Sequence, residues 1–495
     1  MIDTIKNGLR KFLNITSNEN PVITITQNTD FYASCAKNRI WYGGKPFQLT
    51  QLYSQLNDAP NTMFWKSRMT YGREIRKIHI GLPRLMVDAM TNIVMSEYNG
   101  VTIDTDNTTS NAERWEEIAA ENKFSKTLAK CVSDLGIVGD GAFKISYDAS
   151  VLLNPIIEWL PAERVKFEYV RGRIKEIKFY TDYSERGRTY QLEEVYGYGY
   201  IKYNLYDDNK KPCDLHKISV TSDLVGEGVT FEKTLIWAVP VILGSSSFEG
   251  RGKGLIESKE DSFDSVDEAW SQWMDALRAC RTQTYVPESL VPRDPDTLMP
   301  ITPNPFDNRF IAVGDNAAEN AENRIVTESP QIQSDAYLSA YITALDMCLQ
   351  GTVSPSTLGI DVKKLDNAEA QREKEKATLY TRRAYIEVLE NALPQLVNAV
   401  LNADSIIKTG NVIGDIKVDV NFGEYANPSF ESQVEIVGKA RQNGVMSVET
   451  SVDELYGDSK SDEWKAEEVK RIKQEQGIAE LSETSETDDL PFIGF

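Results

Sequence analysis

The sequence predicts an α+β fold, and three observations carry that expectation. Between Val165 and Val239 the chain falls into short β-branched and aromatic runs separated by Gly, Asp or Asn, the pattern of an antiparallel sheet. From Gly250 onward two narrow apolar seams at helical spacing flank a proline-dense stretch. A charged helix of some 35 residues, Ala368 to Asn402, follows the second seam and would run roughly 50 Å at about 1.5 Å per residue.

Met1 to Asn14 reads as an amphipathic helix carrying Lys6, Arg10 and Lys11, not as a signal sequence, and a mixed region begins at Pro21-Val22. Trp41-Tyr42-Gly43-Gly44 reads as a loop anchored on the core by its aromatics. Leu82, Leu85, Met86, Ala89, Ile93 and Val94 repeat at helical spacing with Pro83 in the first turn, which predicts a core helix. Asp104 to Asn111 is a polar break without the Gly and terminal Glu of a calcium loop, and a second helix is expected over Ala112 to Gly136. Gly139-Asp140-Gly141 then forms a hairpin-like turn into a strand through Ile145. The strands that follow are Val165 to Tyr169, Ile174 to Thr181, Tyr190 to Tyr200, Tyr203 to Asp207, Lys217 to Val220 and Leu235 to Val239.

The first seam is Phe263, Val266, Trp270, Trp273, Leu277 and Cys280, spaced three and four apart along one side of a helix. Pro287, Pro292, Pro295, Pro300, Pro303 and Pro305 end the periodicity from Tyr285 to Phe306, because each removes a donor and fixes φ, so that stretch is extended. The second seam is Leu338, Tyr341, Leu345 and Cys348, broken by Gly351 to Asn367. Inside the long helix Pro394 cannot donate to the Glu390 carbonyl and is expected to bend it near Leu393. Beyond it, Ile416 to Phe422 alternates as a strand and Pro428 to Asn443 forms a helix closed by Gly444. Ser447 opens another helix, and a charged helix covers Asp462 to Gly477. The tail from Ile478 is acidic and lacks the apolar content of a core.

The 495 residues suffice for about three domains, and 41% hydrophobic content is ordinary for globular protein. The longest apolar run, near Ile236 to Leu243, is too short to span a bilayer, so no membrane partner is expected. With 54 basic and 75 acidic side chains the net charge is −21, which argues against tight wrapping of nucleic acid. Cys35, Cys131, Cys213, Cys280 and Cys348 are scattered without a CxxC pair and read as reduced thiols. His79 and His216 sit in no nucleophile-elbow or HExxH context, so they read as structural. Gly250-Arg251-Gly252-Lys253-Gly254 lacks the Ser or Thr that a phosphate-binding loop needs after its Gly-Lys, and reads as a flexible joint into the helix. Asp261, Asp264 and Asp267 read as the solvated side of the first seam helix. No catalytic, cofactor or metal site is expected.

In this order the parts resemble the portal protein family of tailed bacteriophages, in particular that of long-tailed phages. The resemblance rests on His79-Ile80-Gly81-Leu82-Pro83-Arg84-Leu85, Gly139-Asp140-Gly141, Val239-Pro240-Val241 before Gly250 to Gly254, the seam helix with its proline-rich follow-on, and Gly444-Val445-Met446-Ser447 before the charged helix from Glu463. It implies a portal-type subunit: residues 1–249 as an α/β wing, 250–283 as the first stem helix, 284–332 as a small clip with extended segments and 333–351 as the second stem helix. Residues 352–367 become a tunnel loop, 368–426 the kinked tunnel-lining helix with a strand returning to the wing, 427–477 a helical crown, and 478–495 a disordered tail.

The resemblance also implies a non-enzymatic homo-oligomer, a twelve-subunit ring at one capsid vertex of the virion, assembled in the host cytoplasm. Its partners would be the major capsid and scaffolding proteins, the terminase packaging motor, head-tail adaptors and, transiently, double-stranded DNA during packaging and ejection. Phe263, Val266, Trp270, Trp273, Leu277, Leu338, Tyr341 and Leu345 would then meet neighbouring subunits, as seams too narrow for one domain suggest. Ser354, Ser356 and Thr357 would face the channel without fixed charge, while Lys363 and Lys364 would touch phosphates briefly. An acidic wall would let the duplex slide. A minor capsid or scaffold-like component without a channel, and a packaging nuclease, are the alternatives.

Overall fold

The computed structural model describes residues 31–56, 61–68, 75–103, 109–224, 226, 228–299, 311–313, 325–360, 368–423, 430–457 and 460–475. The chain divides into two compact units, Met1–Phe422 and Gly423–Phe495. The expected helix over Met1 to Asn14, the tail from Ile478, Pro300, Pro303, Pro305, Lys363 and Lys364 lie outside the described residues.

Among the described residues the first helix is Phe31–Gly43, which buries Cys35, Asn38 and Trp41 at a spacing of three. Gly44 adopts φ 67° just past its end, and Pro46 opens the next helix, Pro46–Gln55. Trp41-Tyr42-Gly43-Gly44 is therefore a helix terminus and not a loop, although Trp41 anchors it as expected by donating Nε1–H to Tyr53 Oη at 3.2 Å. Leu82–Ser96 is the core helix, burying Leu82, Met86, Val87, Met90 and Val94. Its inward face is turned slightly from the expected one, since the 82/86/90/94 row packs inward and Leu85 is exposed. The single helix expected over Ala112 to Gly136 is two, Thr109–Glu121 and Phe124–Val138. Lys123 at φ 51° separates them, and Asn122 fills the break by donating to the Ile118 and Pro155 carbonyls and accepting Ile157 N–H.

Strand β1 is Tyr98–Ile103, β2 is Asp140–Ser146, β3 is Ile156–Pro161, β4 is Val165–Val170 and β5 is Arg173–Glu185. After these come β6 Arg188–Gly197, β7 Tyr200–Asp207, β8 Pro212–Cys213, β9 Val229–Thr230 and β10 Ala238–Ile242. Their pairing is antiparallel, in a six-stranded sheet ordered β4-β5-β6-β7-β8 with β9 on β7 and a three-stranded sheet ordered β10-β2-β3. Gly139, at φ 90°, caps the preceding helix; no hairpin turn lies there. Lys217 to Val220 is not a strand but two short 3-10 turns, started by Asp214 accepting His216 N–H at 3.0 Å. β2 is buried along nearly its whole length, and its Lys144 is held by Glu194 and Glu158, each at 2.9 Å.

The proline-rich stretch is extended only at its start, where β11 Gln283–Pro287 pairs with β12 Ile311–Val313 and β13 Val326–Glu328. Glu288–Leu290 is a 3-10 turn and residues 295–297 turn again, so the described part beyond Pro287 is not the extended segment expected. The long helix is Ala368–Thr409, 42 residues and so longer than expected. Its later half is core, with Tyr385, Leu389, Leu393, Leu396, Val397 and Val400 buried. Asn398 and Asn402 then hold the returning chain by pairing with the backbone of Ile416 and Gly414, which guides β14, Val418–Phe422, onto β1. All five cysteines are free.

The second unit contains the three expected helices, Phe430–Gln442, Val448–Tyr456 and Asp462–Glu475. Gly444 at φ 67° ends the first, and Ser447 Oγ accepts Thr450 N–H at 3.1 Å to start the second. Tyr456 meets Trp464 at 4.9 Å, and Lys465 pairs with Asp453.

Candidate functional site at the root of the paired helices

Two helices, Glu260–Ala279 and Ser334–Leu349, pack side by side and carry the two seams. Phe263, Val266, Leu345 and Cys348 are buried within the single chain, so these seam positions are not free to meet a neighbour. The expectation that the whole seam faces another subunit fails at this root because the helices turn their apolar rows toward each other and the core. Trp270, Trp273 and Tyr341 form a half-buried aromatic cluster, with Trp270 5.3 Å and Trp273 6.3 Å from Tyr341. Only Leu277 and Leu338 of the eight seam candidates are exposed, at 44% and 43%. Lys259, just before the first seam helix, donates to the Cys348 and Gln350 carbonyls at 2.6 and 3.0 Å and so closes the end of the second.

The acidic side of the first seam helix is the feature that sequence reasoning misread. Asp261 is exposed, but Asp264 and Asp267 are buried, and Ser271 continues their row. Asp264 accepts Phe64 N–H at 2.8 Å and Trp65 N–H at 3.1 Å. Asp267 accepts Trp65 Nε1–H at 3.0 Å and Ile80 N–H at 3.1 Å, and its Oδ2 lies 2.7 Å from His79 Nδ1. A carboxylate only accepts, so Nδ1 carries the proton. Burial pushes the Asp264 carboxyl up, against the two backbone N–H bonds that pull it down. The visible signal was spacing: Asp264, Asp267 and Ser271 share one face at intervals of three and four, directly beside the apolar seam.

Gly250 to Gly254 is neither a phosphate cradle nor a flexible joint. Arg251 meets buried Asp140 at 2.9 Å, donates to the Ala162 and Val165 carbonyls, and lies 3.9 Å from the Phe31 ring centre. Gly252 donates to Asp140 Oδ2 at 2.8 Å, and a Cβ on it would fall 2.1 Å from the Gly139 carbonyl oxygen. Gly252 is there for close backbone packing, which commits its amide and the Arg251 NH1 and NH2 groups to the core.

The described part of the expected tunnel loop is a packed turn. Ser354 is buried; its N–H donates to Thr378 Oγ1 at 2.8 Å and its hydroxyl lies 2.6 Å from that of Ser356. Thr357 Oγ1 lies 3.1 Å from the same Thr378 hydroxyl, and Thr381 donates to the Thr352 carbonyl. Ser354 and Thr357 thus tie the turn to the long helix, and Ser356 is exposed. Among the described residues no group of His, Cys, Asp and Glu could hold a metal, and no helix is long and apolar enough to cross a membrane.

The described residues thus combine an α+β body, two paired helices joined through a small sheet, and a long core helix. Residues 23–480 match the family model described as phage portal protein, SPP1 Gp6-like, and the chain belongs to that family. No curated protein matches the sequence. Among solved structures the chain is similar to one from the virion of a native gene transfer agent particle, with TM-score 0.37, 12% identity, and 84% of this chain and 90% of that chain covered. It is similar also to one from the neck of a native gene transfer agent particle computed with C12 symmetry, with TM-score 0.35, 11% identity, and 85% and 92% covered.

Proposed function

We propose that this chain is the repeating subunit of a ring at one capsid vertex, through which double-stranded DNA is packaged and ejected. The match of residues 23–480 to the portal family carries the reading. Residues 1–249 form the wing, 250–283 and 333–351 the stem, 284–332 the clip, 352–367 the tunnel loop, 368–426 the tunnel-lining helix with its return strand, and 427–477 the crown. Leu277 and Leu338 are exposed on the paired helices, with the Trp270, Trp273 and Tyr341 cluster only half covered, which supports lateral contact with a neighbouring copy. Twelve copies close the ring. With a net charge of −21 the channel contacts DNA weakly, since phosphate affinity comes from Lys and Arg. Lys363 and Lys364 supply brief phosphate contact on that wall.

The ring docks the terminase motor during packaging and head-tail adaptors afterwards, sits among major capsid and scaffolding proteins, and is assembled in the host cytoplasm. Its role is mechanical, without catalysis. Negative-stain images of the purified chain should show closed rings with an open axial hole. Particles with the mass of a single chain at every concentration, and no ring in images, would overturn the reading.

A further inference from the structure

Residues 61–68 and 75–80 form neither helix nor strand, yet both pieces lie against the first seam helix. One row on that helix meets them: Asp264 takes Phe64 and Trp65, Asp267 takes Trp65, His79 and Ile80, and Ser271 Oγ accepts Ile78 N–H at 2.9 Å. Lys77 ties the two pieces together by donating to the Phe64 and Ser67 carbonyls. Both carboxylates are more than nine-tenths buried, and neither meets a Lys or Arg within ion-pair distance among the described residues. Every carboxylate oxygen of the pair instead faces an N–H of these two pieces, together called the strap, in four bonds that are charge-assisted beside the His79 contact.

An ionised carboxylate is acceptor-only, and here that property is used on both of its oxygens. An amide of the same shape offers one acceptor and places an NH2 group against a strap N–H. We propose that Asp264 and Asp267 are a latch: they clamp residues 64–65 and 78–80 to the root of the helix, so that tilting the helix is passed to the strap, and the strap detaches while the body stays folded. The apolar packing of Phe64 and Trp65 adds to the clamp without supplying the missing acceptors. The latch is a property of a single chain and stands whether or not the ring reading does.

The test is peptide-level hydrogen exchange on the full chain, comparing wild type with D264N, D267N and the control E268Q. Glu268 is a carboxylate on the same helix that accepts from Gln272 and not from the strap. Exchange at 64–65 and 78–80 should rise about tenfold or more in the two Asp variants, with strand β2 unchanged. An unchanged strap in both variants, an equal rise in β2, or the same rise in E268Q would overturn the latch. If neither Asp variant folds, W65F removes the indole donor together with part of the buried ring and spares both backbone donors; it should raise strap exchange about threefold, and no rise there overturns the proposal as well.

Discussion

Replacing Gly252 with Ala separates a packed joint from a flexible one. The added Cβ would stand 2.1 Å from the Gly139 oxygen and 2.6 Å from its carbonyl carbon. An ordinary carbon–oxygen approach is about 3.3 Å, so the two backbones must part by roughly 1 Å. The atoms on the far side are backbone and cannot rotate away. That separation breaks Leu243 N–H to Gly139 O at 2.8 Å and Gly252 N–H to Asp140 Oδ2 at 2.8 Å, both in the core. Two buried groups losing partners cost on the order of 1–3 kcal/mol each, so a loss of about 2–6 kcal/mol is expected, a large share of a marginal total. Urea unfolding followed by tryptophan fluorescence should show the midpoint falling at unchanged slope. Gly438→Ala, in a helix with nothing near its Cβ, should leave stability unchanged or slightly raised. A Gly252→Ala chain within about 1 kcal/mol of wild type would refute the packing argument.

Leu277→Asp with Leu338→Asp should leave the single chain folded, because both side chains are exposed, while preventing ring closure; mass photometry showing wild-type assemblies would count against the proposed contact. Burial pushes the Asp140 carboxyl up to about 6, against the pull of Arg251, so the folded state holds this proton more tightly than the unfolded chain. Its favourable contribution is complete below about pH 4 and is lost as pH rises through about 6, so wild type should lose stability relative to Asp140→Asn across that window; parallel pH profiles would contradict this. Pro394→Ala restores a donor to the Glu390 carbonyl and should straighten the proposed bend near Leu393, read as a longer spin-label distance across the helix; an identical distance would remove Pro394 as a cause of bending. Changing Lys363 and Lys364 to Glu should preserve rings and procapsids while lowering DNA retention, and normal yields of filled, infectious particles would sink their proposed role.

Elements governed by local chemistry were legible from residues alone. Ser447 capped its helix, Gly444 closed the one before, and the short runs from Val165 to Asp207, separated by turn residues, paired antiparallel. Order along the chain was enough to identify the portal family. What periodicity could not assign was the partner of each face. A row of Asp264, Asp267 and Ser271 has the pattern of a solvated side, and only the arrival of residues 64–65 and 78–80 from far along the chain turns it inward. The same holds for Gly252, whose freedom looks like a hinge until Gly139 lies against it, and for Ser354, whose polarity suggests water until Thr378 receives its N–H. Spacing determines which residues share a face; burial of that face depends on contacts between positions distant in sequence, and those exist only once the chain has folded.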